Sequence, residues 1–240
     1  MTNVDLLKER SSPACLEVTI GAGPGIGRAV TSLFASKRYN NVALIGRRAD
    51  QLSIEKSAIE EAVGPQAKVK IYALDVVDSA ALSKALENIE AELGKPGCIF
   101  YNAARVLPSE LLTHAVEDME YDFKINVSAL YVCAQRVIPR LLQLAKSETE
   151  AMPALIVTSS MLPLNPIPQL FALSLVKAAQ RNLMQSLSMA YASQGIHVGL
   201  INVGGPVSPT DKVWNPTNIA AKAWEWFAQS KEKPTFEVMI

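Results

Sequence analysis

The sequence predicts an α/β chain: a doubly wound parallel sheet of about seven strands with helices on both faces. Three observations predict it. Short apolar runs alternate with longer stretches of helical periodicity, the mark of successive βαβ units. The first of these runs closes on a glycine-rich turn, GAGPGIG. The runs are also nearly continuous in apolar residues, and strands of that kind need helices packed on each face of the sheet.

The elements follow in order. CLEVTI ends at Ile20, and GAGPGIGRAV leads into a helix starting near Ile26. NVALIG ends at Gly46 before a helix near Asp50, and VKIYAL ends at Leu74 before a helix near Ser79. Asp50 and Ser79 have short polar side chains suited to N-capping. CIFYNA ends at Ala103, a helix is expected from near Thr113, ALIVTSS ends at Ser160, and the next helix starts near Phe171. HVGLIN ends at Asn202, a last helix runs from Asn218 to Ser230, and TFEVMI is the final strand. The Pro-rich MLPLNPIPQ is too short for an interdomain linker; it reads as a rigid loop after the fifth strand, where open α/β sheets place ligands. Repeats and low-complexity tracts are absent, so residues 1–240 are expected to form a single domain with a short substrate loop near 203–217.

Charge narrows the partners. Lys+Arg and Asp+Glu are both 23, which leaves no general field to draw nucleic acid or an anionic membrane. No apolar run is long enough to cross a bilayer. The first residues, MTNVDLLKERSSPAC, carry Asp5 and Glu9 and lack the apolar core of a signal peptide, so a soluble, cytoplasmic protein is expected. Cys15, Cys98 and Cys133 have neither CxxC spacing nor a disulfide pattern and are expected to be reduced and buried.

The glycines carry the first chemistry. Gly21, Gly25 and Gly27 have the spacing G-x-x-x-G-x-G between a strand and a helix. A pyrophosphate needs close backbone approach, a positive φ in the turn and free N–H groups at a helix start, and these residues permit all three. With LDV after the third strand, NA after the fourth, NV farther on and SS…KAA later, the chain resembles the short-chain dehydrogenase/reductase family from about Leu16 to Val207. The resemblance implies a Rossmann-like fold, with a dinucleotide held across Gly21, Gly25, Ile26 and Gly27. It also implies adenine beside Asp75 and Val76 and the nicotinamide-side ribose near Asn102. Two departures are visible: Ile20 stands where the family usually has Thr, and YNAA replaces its NNAG.

The second strand indicates which nicotinamide. A carboxylate at its end would bind both ribose hydroxyls of NAD, whereas a 2′-phosphate needs a guanidinium instead. Gly46 stands there, followed by Arg47 and Arg48, so NADP(H) is expected, with Arg47 the nearer ligand.

The catalytic motif is incomplete. The resemblance implies Ser160 as the group polarising substrate, Lys177 as the ribose-binding lysine, and Asn126 as holder of a water in the proton relay. The family's acid is a tyrosine four residues before the lysine; here that residue is Leu173. Register is fixed on both sides, since Ser160 lies thirteen residues earlier and the helix after Lys177 continues without a gap. Three readings stand. Another group supplies the proton, such as Ser174, Ser160, Lys177 through water, Tyr101 or His114; or the substrate needs less help; or the pocket is a non-redox isomerase, cyclase or binding protein. His114 and His197 otherwise read as structural.

Beyond the sixth strand, NVGGPVSPTD resembles the family's segment over the nicotinamide, which implies contacts from Val207 and Thr210. Trp214 is a candidate pocket wall, and Trp224 and Trp226 read as core. The helices from Thr113 to Leu144 and Phe171 to Ser193 are apolar on more than one face and in the resembled family form an interface, implying a homodimer or homotetramer. The resulting expectation is an NADP(H)-dependent oxidoreductase that reduces a carbonyl, imine or activated alkene of a small organic substrate. An isomerase or cyclase on the same pocket is the alternative, and a cofactor-binding regulatory protein the third.

Overall fold

The computed structural model describes residues 16–148, 150–229 and 234–240. The expectations for the N-terminal segment through Cys15 and for Ser230 lie outside the described residues. The strands are β1 (Leu16–Ile20), β2 (Asn41–Gly46), β3 (Lys68–Ala73), β4 (Pro96–Tyr101), β5 (Ala154–Ser160), β6 (His197–Val203) and β7 (Glu237–Met239). They form one sheet in the order β3-β2-β1-β4-β5-β6-β7, with every pairing parallel. The connecting helices are α1 (Ile26–Lys37), α2 (Ala49–Val63), α3 (Ser79–Leu93) and α4 (Val116–Phe123). A π-helical turn (Lys124–Ser128) leads from α4 into α5 (Ala129–Ser147), and α6 (Phe171–Tyr191) and α7 (Pro216–Phe227) follow. Strand order reverses between β1 and β4, so the crevice beyond their C-terminal ends is the switch point at which such sheets bind ligands.

Alternation along the strands places apolar layers on both faces of the sheet, β4 contributing to each and β1 to one, with Glu17 and Thr19 buried on its other face. Val18 and Ile20 join Ile99 and Tyr101 of β4 under α3 and α5, where Leu86, Ile89, Leu130 and Cys133 pack. On the opposite face Cys98 and Phe100 meet Phe34 of α1 and Trp226 and Phe227 of α7. Cys98 and Cys133 are free and buried. No helix among the described residues is long and apolar enough to cross a membrane.

Several boundaries differ from expectation, each for a local reason. Asp78, not Ser79, caps α3, its carboxylate accepting from the N–H groups of Ala80 (3.1 Å) and Ala81 (2.9 Å). The next helix begins at Val116 rather than Thr113, whose hydroxyl is turned to Glu110. Helix α2 starts at Ala49 with Arg48 at its N-cap, so Asp50 sits inside the first turn, where its charge favours the helix dipole. Pro216 opens α7, where a missing N–H is harmless, and Asn215 caps it by accepting from Asn218 N at 2.8 Å. The loop expected near 203–217 is therefore 204–215, since Val203 completes β6. Strand β3 departs from two-sided burial: it is the sheet edge, and its Lys70 pairs with Glu92 at 2.7 Å.

Candidate active site

A cavity of about 280 Å³ is lined by the turn after β1, the ends of β2 and β4, and Leu74, Asp75 and Val76. Gly21 has φ 87°, and a Cβ there would lie 2.4 Å from Ala103 N, so both conformation and proximity require glycine. Asn102 fixes this approach: its Nδ2 donates to Gly21 O at 3.0 Å and its Oδ1 accepts from Thr158 Oγ1 at 2.8 Å. Gly25 is the N-cap of α1, Ile26 and Gly27 begin that helix, and a Cβ at Gly25 would meet nothing within 4 Å. A backbone bared in this way beside a helix N-terminus suits a phosphate.

Gly46, Arg47 and Arg48 line the opposite side, with both arginines exposed. A side-chain chain anchors the second one. Arg48 Nη2 donates to Gln51 Oε1 (3.3 Å), and Gln51 Nε2 donates to Glu55 Oε1 (2.5 Å). Glu55 is wholly buried and also accepts twice from Arg28, at 2.5 and 3.0 Å. Asp75 accepts from Tyr121 Oη (2.7 Å) and from Val77 N (3.2 Å). The hydrogen bond to Asp75 raises the Tyr121 pKa, and the Arg47 guanidinium beside the same hydroxyl opposes that shift.

Deeper in the molecule lie the groups from the catalytic motif. Lys177 is 6% exposed, and its Nζ donates to Thr158 O at 2.9 Å and Gln180 Oε1 at 2.8 Å. Burial brings its pKa down to about 7. Gln180 in turn donates from Nε2 to Asn126 O at 2.8 Å. Asn126 sits in the π-helical turn; its Nδ2 donates to Asp122 O at 2.9 Å, while its Oδ1 is buried without a hydrogen-bond partner. Ser160 Oγ accepts weakly from Leu162 N at 3.3 Å. Leu173 is buried and packs with Leu162, Leu170 and Val176.

The structure thus gathers Gly21, Arg47, Arg48, Asp75, Val76 and Asn102 around one cavity, with Gly25, Ile26 and Gly27 adjoining it. Ser160, Lys177 and Asn126 are not on its lining, although Thr158 links Lys177 to Asn102. Val207 and Thr210 are exposed in the 204–215 loop, where Thr210 bonds only locally with Ser208, so they do not reach the cavity lining. Trp214 is no wall of that cavity either: it packs over Gly205, and its Nε1 donates to Ile240 O at 3.0 Å. Two alternative proton donors are otherwise engaged. The Tyr101 hydroxyl donates to Ile125 O in full burial, and Ser174 Oγ donates to Leu170 O at 2.9 Å. His114 stands in a turn edge-on to Phe171, and the His197 ring lies among Trp226 and Phe227. Sequence reasoning missed Thr158, Gln180, Gln51 and Tyr121. The one signal for Gln180 was an amide three residues after Lys177 in an otherwise apolar helix face.

Comparisons with known proteins agree with this geometry. The family model described as short chain dehydrogenase matches residues 17–218. Glucose 1-dehydrogenase of Gluconobacter oxydans is 28% identical over 194 residues, 81% of this chain and 70% of that protein. A short chain dehydrogenase of Pseudocercospora fijiensis is 30% identical over 208 residues, 85% of this chain, and the chain spans only 64% of that relative. Among solved structures, an NADPH-bound short chain oxidoreductase from Pseudomonas aeruginosa with an atypical catalytic center superposes with a TM-score of 0.80. That match covers 94% of this chain and 95% of the other at 20% identity, which is likeness of fold.

Proposed function

The chain belongs to the short chain dehydrogenase family, and we propose that it is an oxidoreductase using NADP(H) to reduce a carbonyl, imine or activated alkene of a small molecule. The observation that carries this reading is the cavity with a glycine turn on one side and Arg47 and Arg48 on the other, no carboxylate standing at Gly46. The turn and the start of α1 suit a pyrophosphate, and the arginines suit a 2′-phosphate. An NADPH-bound fold relative with an atypical catalytic center supports it.

When bound, the dinucleotide supplies the hydride. Lys177 has three N–H donors, and Thr158 O and Gln180 Oε1 take two. The third serves the nicotinamide-side ribose. Ser160 polarises the substrate oxygen or nitrogen, and Leu173, at the position of the family's tyrosine, has no proton to give. The proton comes late, from water, so substrates that accept hydride readily are favoured. Faces of α5 and α6 carrying Tyr131 and Leu175 join copies of the chain into a homodimer or homotetramer. The decisive experiment is direct: NADPH binding by fluorescence, then loss of NADPH absorbance with a panel of ketones, imines and enones. Reduced product in step with NADPH consumed is expected. Failure to bind NADPH defeats the proposal, and product formed without NADPH consumption transfers the site to isomerase or cyclase chemistry.

A further inference from the structure

The geometry points to Gln180 as a positioning residue, a buried amide strut that fixes the Lys177 ammonium between β5 and the π-helical turn and closes it to proton traffic from behind. The inference rests on the proposed dinucleotide site, because the fixed lysine is the group that would grip the cofactor ribose.

The strut has two ends on different elements. Gln180 Oε1 accepts from Lys177 Nζ at 2.8 Å, one helical turn away on α6, and Gln180 Nε2 donates to Asn126 O at 2.8 Å across to the turn between α4 and α5. The side chain is fully buried, so neither bond competes with solvent. The π-helical geometry matters here: Ala129 N–H reaches back five residues to Lys124 O, and such a turn displaces the regular helix ladder where an outside donor meets a carbonyl. On its other side Lys177 donates to Thr158 O, and the Thr158 hydroxyl donates to Asn102, which holds Gly21 O. One hydrogen-bonded path thus joins the glycine turn to the π-helical turn, with Lys177 in the middle.

An amide differs from a hydroxyl or a water in one respect that decides its role. It neither ionises nor exchanges donor for acceptor at accessible pH, so it orients without relaying. Lys177 therefore meets Gln180 as a fixed dipole, its oxygen toward the ammonium. Asp122, whose backbone carbonyl accepts from Asn126, has its carboxylate engaged by Arg105 Nε at 2.6 Å, so that acid does not back the lysine.

The test uses the whole chain with two variants and one measurement on the unaltered protein. In the ligand-free wild type labelled with ¹⁵N-glutamine, one side-chain amide should exchange slowly with solvent, and its signal should follow the titration of Lys177. Gln180→Leu should abolish that signal and weaken NADPH about tenfold, and Gln180→Glu should hold Lys177 protonated to higher pH and flatten the pH dependence of NADPH binding. A structural filler would lower the melting temperature in both variants yet leave NADPH affinity within twofold and the Lys177 titration unmoved; that result overturns the inference. So does a wild-type protein with no protected glutamine amide responding to pH, which decides the matter even where Gln180→Leu fails to fold. Absence of NADPH binding in the wild type would instead count against the proposed function, and the ligand-free measurement would still judge Gln180.

Discussion

Replacing Lys177 by Met tests the burial of this lysine without any ligand. In the folded protein its pKa is lowered from 10.5 to about 7 by desolvation. Between those values the unfolded chain binds the more protons, so the lysine's contribution to stability rises with pH. Below pH 7 its penalty is constant and full. The whole shift corresponds to about 5 kcal/mol, at about 1.4 kcal/mol per pH unit. Met removes the titration but leaves Thr158 O and Gln180 Oε1 without a donor, at about 1–3 kcal/mol each, so the net sign at one pH decides nothing. The slope decides. Between pH 7 and 8.5, wild-type stability should gain about 2 kcal/mol on Lys177→Met. His197, with its pKa lowered below 6.5, and Cys98, with its pKa raised above 9.0, are common to both proteins and cancel. Urea unfolding at several pH values, monitored by tryptophan fluorescence, measures the difference. A difference constant across that window would refute a buried, titrating lysine.

The remaining predictions concern the cofactor, the assembly and the acid. Arg47→Ala should weaken NADPH about 10- to 100-fold, the loss of charge-assisted bonds to phosphate, and leave NADH within a few-fold; equal losses in calorimetry would remove Arg47 from the 2′-phosphate site. Gly46→Asp should favour NADH in the same calorimetry, its carboxylate accepting from the ribose hydroxyls, and the added Cβ, 3.1 Å from Leu52 Cδ2 and 3.5 Å from Ala22 O, asks only a small shift of Leu52. Tyr131 and Leu175 are 50% and 52% exposed, and Tyr131→Lys with Leu175→Lys should convert a dimer or tetramer to monomer in light scattering; a monomeric wild type at micromolar concentration contradicts the interface. Leu173→Tyr should raise reduction of activated ketones, by less than the roughly 10²–10⁴-fold of a well-placed acid because the site is tightly packed, and Lys177→Ala in that background should abolish the gain.

Strands and the glycine turn were legible in the sequence because each rests on a local rule. Apolar runs such as NVALIG and ALIVTSS coincide with β2 and β5 residue for residue. Helix starts were less legible where two neighbours compete to cap, as with Asp78 and Ser79, and where a turn intervenes, as between Thr113 and Val116. The cavity residues Gly21, Arg47, Asp75 and Asn102 are all at strand ends or just beyond them, so their convergence follows from parallel topology alone. The links among Arg48, Gln51, Glu55 and Arg28 do not follow from it. They depend on α1 packing beside α2, and a buried Glu55 looks in the sequence like any helix-surface acid. Gln180 was hidden for the same reason: its partner Asn126 is 54 residues away, and its value lies in a π-helical turn that no pattern of apolar residues announces.

Leu173 and Lys177 lie one turn apart on α6, and both are buried. Leu173 and Val176 of α6 form a buried apolar group with Leu162, and Lys177 follows Val176 directly in the same helix. A tyrosine here would bring a polar hydroxyl and its hydration; leucine supplies neither, and a less hydrated ammonium has a lower pKa. The start of α6 is also held firmly, since Ser109 Oγ accepts from Ala172 N at 3.1 Å and Ser109 N donates to Gln169 O at 2.9 Å. Ser109 belongs to the segment after β4, so two loops at the C-terminal edge of the sheet are tied together over the first turn of that helix. A buried lysine held by Thr158 O and Gln180 Oε1 fits the role proposed for it, that of orienting a cofactor rather than passing a proton.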